Sequence, residues 1–578
     1  MAEQDARHEG MGGPGSAGRG ALLLRAMRDV VGADHVRDDA ATLERYARST
    51  SSRSTAPLAV VSAGSRAEVI ALVDLARRHQ TPLYPVSTGK NWGYGDACAV
   101  TDGQVVLELS RMNRIVQVDP QLAYAVIEPG VTQQQLSDYL RLQQIDLWTD
   151  CTGAGPDTSF LGNILERGFG HSPYGNRLQH IAGLQVVLAS GEVLDTGFGH
   201  YPNARATHLF PYGVGPFLDG LFTQSNFGVV TQVGIWLMPK AECINHFICT
   251  VPEHADIGPV VDALRPLRLD GTLRSIVHIG NDLRVISGGR AFPREQAGDQ
   301  APLPQGLRRS LRDKAGAGAW TVSGALYGSR AQVAAARDAL RRALRGTAAT
   351  STFLTEKKLR FGARLARLLG YCGIGERLRA KVAMGEALFA MNRGVPNGRF
   401  LAGAYWRRRG GLPAEFPLQA NPAADNCGLL WVSPILPMRG ADALALHAMV
   451  APIFEAHGFD LFVTFSMINE RSLGGVITVA YDKEDPAEVE RAKQCYRALF
   501  DTVMRAGYIP YRVGIQSMAG LDPHGDVFWK VVSRIKRALD PDGIIAPGRY
   551  EPGRAGAQVC QILRQTGRPG PRLPGTGS

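Results

Sequence analysis

The spacing of apolar positions changes along this chain, and each change predicts a different kind of element. Leu22 to Val31 and Ala41 to Tyr46 repeat at helical spacing, and Leu58 to Val61 is a short apolar run that reads as a strand. Ser65 then caps a helix through Ala76 whose apolar positions are Val69, Ile70, Leu72, Val73 and Leu75. From Gly103 to Met238 the runs are short, β-rich and separated by turns: Gln104 to Leu109, Ile115 to Val118, Tyr124 to Glu128, Leu184 to Leu188 and Val229 to Leu237. Short helices interrupt them at Gln133 to Leu142 and Phe217 to Leu221. Beyond about residue 243 come Ala/Leu/Arg helices near 329–345 and 356–392, strands at Gly428 to Ser433 and Val476 to Tyr481, and a helix from Pro486 to Gly507. This order predicts an α+β protein, and 578 residues exceed what one hydrophobic core usually holds, so two folded domains are expected.

Composition narrows the class without changing the fold. With 45% hydrophobic and 20% charged residues the chain reads as a soluble globular protein. Its formal charge of +11 raises the question of nucleic acid, yet the basic residues are spread, with knots at Arg308 to Arg312, Lys357 to Arg367 and Arg407 to Arg409. Those knots carry apolar residues at helical spacing, which favours solvated helix faces, and no nucleic-acid-binding motif accompanies them. The eight cysteines are dispersed and form no CxxC pair, which argues against a zinc site or a disulfide framework and fits reduced thiols in a cytoplasm. The first twenty residues lack the apolar core of a signal peptide, and no apolar run reaches ~18 residues, so a soluble cytoplasmic protein with no membrane partner is expected.

Three glycine-dense stretches carry the candidate chemistry. In Pro85-Val-Ser-Thr-Gly-Lys-Asn-Trp-Gly-Tyr-Gly95 the glycines can take positive φ and the small polar residues expose backbone amides, which suits a dinucleotide's phosphates. It has neither P-loop order nor GxGxxG spacing, so by itself it reads first as a turn between strands. The second stretch, Gly155 to Gly175, sets Thr158 and Ser159 hydroxyls and the amides around Gly162 and Asn163 at a helix N-terminus, where the dipole favours an anion by ~0.3 to 1 kcal/mol. A plain turn and short helix explain it equally well. The third, His208 to Thr231, combines aromatic and glycine surfaces that suit a planar ring.

In this order and at these separations the stretches resemble the flavoprotein family of vanillyl-alcohol oxidase and p-cresol methylhydroxylase. The resemblance runs from about Pro57 to Lys240 and resumes near Gly394. Gly394-Val-Pro-Asn, Gly403-Ala-Tyr-Trp-Arg407 and Cys427-Gly-Leu-Leu-Trp-Val-Ser-Pro434 look like segments of the family's cap, and Tyr511-Arg512 and Asp540 to Gly548 look like its return to the flavin domain. The resemblance implies an FAD-binding domain of the p-cresol methylhydroxylase type, with two α/β subdomains, over 21–240. It further implies an α+β cap on an antiparallel sheet over 241–500, a return over 501–552, and a homodimer. Residues 1–20 and 553–578, rich in Gly, Pro, Arg and Ser, read as disordered tails.

The family's functional positions carry over residue by residue. The resemblance implies FAD with its pyrophosphate on Ser87, Thr88, Gly89, Lys90 and Asn91, and with Ser159, Gly162, Asn163, Gly170, Tyr174, Val230, Arg512 and Arg549 around it. In phenol-oxidising relatives two tyrosines and an arginine bind the phenolate, and these fall on Tyr94, Tyr511 and Arg512. A phenol has a pKa of ~10, so a guanidinium and two hydroxyl donors favour its anion. Hydride then leaves the para-benzylic carbon for flavin N5, a quinone methide remains, and the electrons pass to oxygen or another acceptor. The bland alternative is that Tyr94 packs and Tyr511-Arg512 pairs with an acid. Relatives place an aspartate near N5, for which Asp157 is the nearest candidate; capping the following helix is its other reading. His171 stands where relatives carry a tyrosine and reads as a pocket residue or, preferentially, a wall histidine. Histidine-tethered relatives link flavin through a cap strand whose counterpart, Ser472-Leu-Gly-Gly-Val476, has no histidine, so noncovalent FAD is expected. Two other functions fit the same residues: an FAD oxidase or dehydrogenase of a hydroxy acid or secondary metabolite, with Arg512 on a carboxylate, or a flavin-binding protein without turnover.

Overall fold

The apolar run at Ala59–Ser62 is buried at every position because it is an inner strand of a mainly parallel sheet. In this computed structural model, which describes residues 14–553 except 300, 371, 372, 419 and 523, the sheet order is Val36–Arg37, Ala59–Ser62, Val105–Glu108, Leu83–Val86. The last three strands run parallel and the first antiparallel. Leu83–Val86 ends directly before the first glycine-dense stretch, so the sheet delivers that loop to one of its ends. The connecting helix Arg66–Arg78 starts as expected, with Ser65 Oγ accepting from the Glu68 amide at 3.2 Å.

A second, antiparallel sheet follows, in the order Ile115–Asp119, Tyr124–Ile127, Val229–Trp236, Ile181–Val187, Val193–Asp195. Its core gathers Ile127, Leu136, Phe160, Ile164 and Val233. The late helix Val527–Leu539 lays Val532, Ile535 and Leu539 on this core, which ties the end of the chain to its first half. Lys536 fastens that return: its buried ammonium pairs with Asp540 at 2.5 Å and donates to the carbonyls of Asn226 and Ile545 at 2.6 and 2.8 Å.

The middle of the chain forms an eight-stranded antiparallel sheet with helices packed on it. Its main path is Thr350–Leu354, Cys243–Val251, Trp320–Gly328, His278–Asn281, Phe462–Ser466, Ser472–Asp482, Cys427–Val432, and Ile435–Pro437 pairs beside Ser472–Asp482. The α+β architecture with an antiparallel cap sheet is thus the one expected. No helix among the described residues is long and apolar enough to cross a membrane.

Several elements differ from their sequence patterns. The helix at 356–392 is two, Glu356–Leu368 and Gly373–Asn392, with Gly370 at φ +64° where the first one ends. Phe217 to Leu221 forms only a single 3₁₀ turn, Asp219–Phe222. The first helix begins at Pro14, inside the stretch read as a tail; residues 1–13 and 554–578 lie outside the described structure. Cap strands such as Cys243–Val251 and Trp320–Gly328 pair along nine residues and carried no turn signal that marked them.

Candidate active site

The loop after Leu83–Val86 is fastened on three sides. The Gly93 amide donates to Thr50 Oγ1 at 2.9 Å, the Gly93 carbonyl accepts from the Trp431 amide of the cap at 3.3 Å, and the Tyr94 carbonyl accepts from the Ile515 amide of the return at 3.0 Å. Gly93 has φ +76°, and a Cβ there would lie 2.6 Å from Trp431 Cγ, so glycine is required by both the backbone and the cap's approach. Ser87 to Asn91 and Tyr94 line a cavity of about 730 Å³ between the two N-terminal sheets and the cap. The second stretch meets the first across it, with the Ser159 amide donating to Thr88 Oγ1 at 3.0 Å.

The helix Phe160–Leu165 does not present its amides as expected. Ser159 caps it, taking the Gly162 amide on Oγ at 2.8 Å, while the Asn163 amide goes to the Ser159 carbonyl and the Phe160 amide to Val131. These donors are spent inside the protein, and the side chains and loop cations are left to face a ligand. Asp157 is exposed, off the cavity wall, and Ser159 holds the cap, so the structure assigns Asp157 neither of its two expected places. Its charge acts instead on Lys90. Gly170 backs onto the Asp150 carboxylate, Tyr174 stacks on His180 at 4.1 Å, and Val230 packs in the second core; none of the three lines the cavity.

Tyr94, Tyr511 and Arg512 do converge there. The Arg512 guanidinium carbon lies 4.4 Å from the Tyr94 ring centre, and Arg512 also donates to Asn91 Oδ1. Tyr94 Oη is 2.6 Å from Ser433 Oγ, and its ring meets Trp431 edge-on at 5.5 Å. Burial pushes the Tyr94 and Tyr511 hydroxyls up while Arg512 works against it, so both stay protonated at neutral pH and can donate to an anion. Glu166, which the motif reading passed over, holds the arginines: it lies 3.2 Å from Arg512 Nε, pairs with Arg549, and accepts from Tyr550 Oη at 3.0 Å. Arg549 reaches Tyr84 Oη at 2.8 Å.

Asp150 builds the loop at 169–175. Its carboxylate accepts from Arg177 Nε at 2.8 Å, from Ser172 Oγ at 2.6 Å, and from the His171 and Ser172 amides. The loop puts His171 on the cavity wall, 4.4 Å from the His278 ring. Burial, with His246 and Arg177 adding to it, pushes His171 down to about 4. His278 is pushed well down by burial and by His171, so both imidazoles are neutral at pH 7.

The residues fit an FAD. Thr158 Oγ1 and Trp431 Nε1, both on the cavity wall, are buried with no hydrogen-bond partner among the described residues. Lys90, Arg512 and Arg549 bring positive charge to the side where Ser87 to Asn91 cluster, as a pyrophosphate requires. Tyr174, Gly170 and Val230 aside, every position expected around the cofactor is on that wall. Glu166, His278 and Trp431 complete it without having been singled out, and Ser433 stands behind Tyr94; all but His278 lay within the quoted stretches.

Residues 57–197 match the family model described as an FAD binding domain. The chain is 39% identical over 533 residues to 1'-carboxy-chondrochloren decarboxylase of Chondromyces crocatus, covering 91% of this chain and 96% of that protein. It is 32% identical over 495 residues to the 4-cresol dehydrogenase [hydroxylating] flavoprotein subunit of Pseudomonas putida, covering 86% and 88%. The crystal structure of p-cresol methylhydroxylase with substrate bound superposes with a TM-score of 0.81 at 30% identity, over 93% of this chain and 97% of that one. Fold and cavity define an FAD-dependent oxidoreductase. The chain belongs to the vanillyl-alcohol oxidase and p-cresol methylhydroxylase family.

Proposed function

We propose that this enzyme oxidises a para-substituted phenol, bound as its phenolate by Tyr94, Tyr511 and Arg512. The convergence of two protonated hydroxyls and one guanidinium on one cavity carries the reading. Bound FAD would supply the acceptor for a hydride from the benzylic carbon, the side-chain carbon attached para to the phenolate oxygen. Arg512 and the two tyrosines hold the substrate oxygen as an anion, which pushes electron density toward that carbon. Neutral His171 and His278 line the wall without adding charge. Oxygen or another acceptor then takes the electrons. The strand Ser472–Asp482 turns Val476 and Thr478 to the cavity, neither of which tethers flavin as histidine does, and this supports noncovalent FAD.

A second reading, loss of carbon dioxide from a phenol whose side chain carries a carboxylate, is favoured by the 39% identical decarboxylase. There the electron pair of the carbon–carboxylate bond forms a new C=C bond as the oxidised ring returns to phenolate.

Anaerobic mixing with a panel of phenols and their methyl ethers tests the first reading. Phenols are expected to bleach the flavin's visible absorbance and the ethers to leave it intact; equal bleaching would move Arg512 to a carboxylate, and no bleaching by any phenol would overturn the reading. Acid precipitation is expected to release FAD into the supernatant, and colour retained in the pellet would show a tether.

A further inference from the structure

Among the described residues, Arg284 differs from the guanidinium groups that the fold encloses and pairs. Arg177 has Asp150, Arg407 has Glu488, Arg308 has Asp282, and Arg512 and Arg549 share Glu166. Arg268 and Arg53, which have no carboxylate, donate to backbone carbonyls. Arg284 sits on the short helix Asp282–Ser287 and opens on the cavity, where Nε donates to Thr464 Oγ1 at 3.2 Å. Among the described residues no carboxylate lies within 4.0 Å of it, and its terminal nitrogens have no hydrogen-bond partner. The acid on its own helix, Asp282, is taken by Arg308, whose Nε donates to it at 2.8 Å. Burial without a compensating acid disfavours the charge and pulls the group's pKa down. An arginine stays charged nonetheless, so the site is one that an anion would complete.

The rest of that wall has the same sign. Lys381 and Arg399 line the cap side of the cavity, whereas the two lining carboxylates, Asp96 and Glu166, belong to the flavin side. Glu166 is consumed by Arg512 and Arg549, and Asp96 accepts from the Thr50 amide. The placement relative to the phenol end follows from one strand. Thr464 and Ser466 point to the same face of Phe462–Ser466, ~7 Å apart. Ser466 Oγ meets His278 Nδ1 at 3.0 Å, and His278 stacks with Phe169, which in turn contacts Tyr511. Arg284, at Thr464, is therefore one step farther from the phenolate group than the imidazole.

We propose that Arg284 is a specificity-determining residue that binds a carboxylate on the substrate's para side chain, so that the preferred substrates are phenols with an anionic tail. This rests on the phenol reading above. A substrate held by its phenolate at Arg512 runs past His171 and His278 and presents its carboxylate to Arg284, where a two-pronged contact matches the guanidinium's geometry. Two cations at opposite ends of one cavity then select for a doubly anionic molecule.

The test uses purified holoenzyme and 4-hydroxyphenylalkanoates of increasing tail length, each paired with its methyl ester. Wild type is expected to use the acid of one tail length about 10- to 100-fold better than its ester in kcat/KM, and Arg284→Met to collapse that ratio toward one, with Arg284→Lys recovering part of it. An acid-to-ester ratio near one in wild type, or a ratio unchanged in Arg284→Met, overturns the proposal. Arg284→Met is expected to melt no lower than wild type, since an uncompensated charge is removed; a lower melting temperature would mark a structural partner that the proposal denies. Phenylalkanoates without the hydroxyl, titrated against the flavin's visible spectrum, separate the two readings. Arg284-dependent binding of these acids with no reduction by any phenol would sink the phenol reading and leave the anchor standing. Reduction by phenols with no dependence on the tail's charge would do the reverse.

Discussion

On the flavin side of the cavity the buried carboxylates Glu166 and Asp150 are answered within the protein, whereas on the cap side the Arg284 guanidinium meets no acid among the described residues. Glu166 is held by two arginines and a tyrosine, and Asp150 by Arg177, a serine hydroxyl and two amides. Across from them Arg284 has one threonine, His278 one serine, and Trp431 Nε1 no partner among the described residues. A wall built on closed ion pairs is rigid before any ligand arrives, and the Thr158 hydroxyl and Lys90 ammonium that it leaves open suit a cofactor held in one geometry through many turnovers. A wall with open donors gives its binding energy to whatever completes them, which suits a substrate that comes and goes. On the proposed function, the flavin side positions and the cap side selects.

The comparison breaks most visibly at Asp150. Asp150→Ala leaves the Arg177 guanidinium, 1% exposed, buried without a counter-charge, and is expected to cost about 3 to 5 kcal/mol of stability together with FAD retention. Equilibrium denaturation checks this, and a loss under ~1 kcal/mol would mean that the flavin wall is not held by its ion pair. A second effect concerns pH. His171 and His246 are pushed down to about 4 from 6.5, and His278 is also pushed well down, by burial, so between those limits the unfolded chain binds more protons than the folded one. Stability is then full above about pH 6.5 and falls as the pH drops toward 4, by at most ~1.4 kcal/mol per pH unit for each imidazole. Melting temperatures across that range check the sign, and a flat profile would place the imidazoles in a wetter wall.

Arg512→Ala removes the cation nearest the proposed phenolate and is expected to lower kcat/KM about 10- to 100-fold, the equivalent of ~1.5 to 3 kcal/mol for a charge-assisted contact. Unchanged kcat/KM on a phenol that reduces the flavin would show that the two tyrosines suffice. The smallest effect belongs to Asp157→Asn. The side chain is exposed and off the cavity, so the rate of flavin reduction is expected to stay within about twofold of wild type; a large loss would return Asp157 to the reacting centre.

What was legible in the sequence was local. Ser87 to Asn91, Tyr94 and Ser159 sit in short stretches whose glycines and hydroxyls announce a turn facing a ligand, and Tyr511, Arg512 and Arg549 lie in segments with a recognisable family pattern. Glu166 stood within a quoted stretch yet carried no sign of its role, because its partners lie more than 340 positions away. Asp157 was misplaced for a related reason: only Thr158 separates it from the capping Ser159, and the turn's direction decides which side chain meets the helix and which meets solvent. Arg284 had no motif at all, and the one hydrogen bond its side chain makes among the described residues spans 180 positions.

The sequence by itself determined the class of fold, the cofactor and the family, since spacing, turn chemistry and ordered motifs are properties of neighbours along the chain. The tertiary structure alone decided which charges are answered and which are not. An arginine costs little while solvated, and becomes a site only when a fold encloses it and brings no acid to meet it.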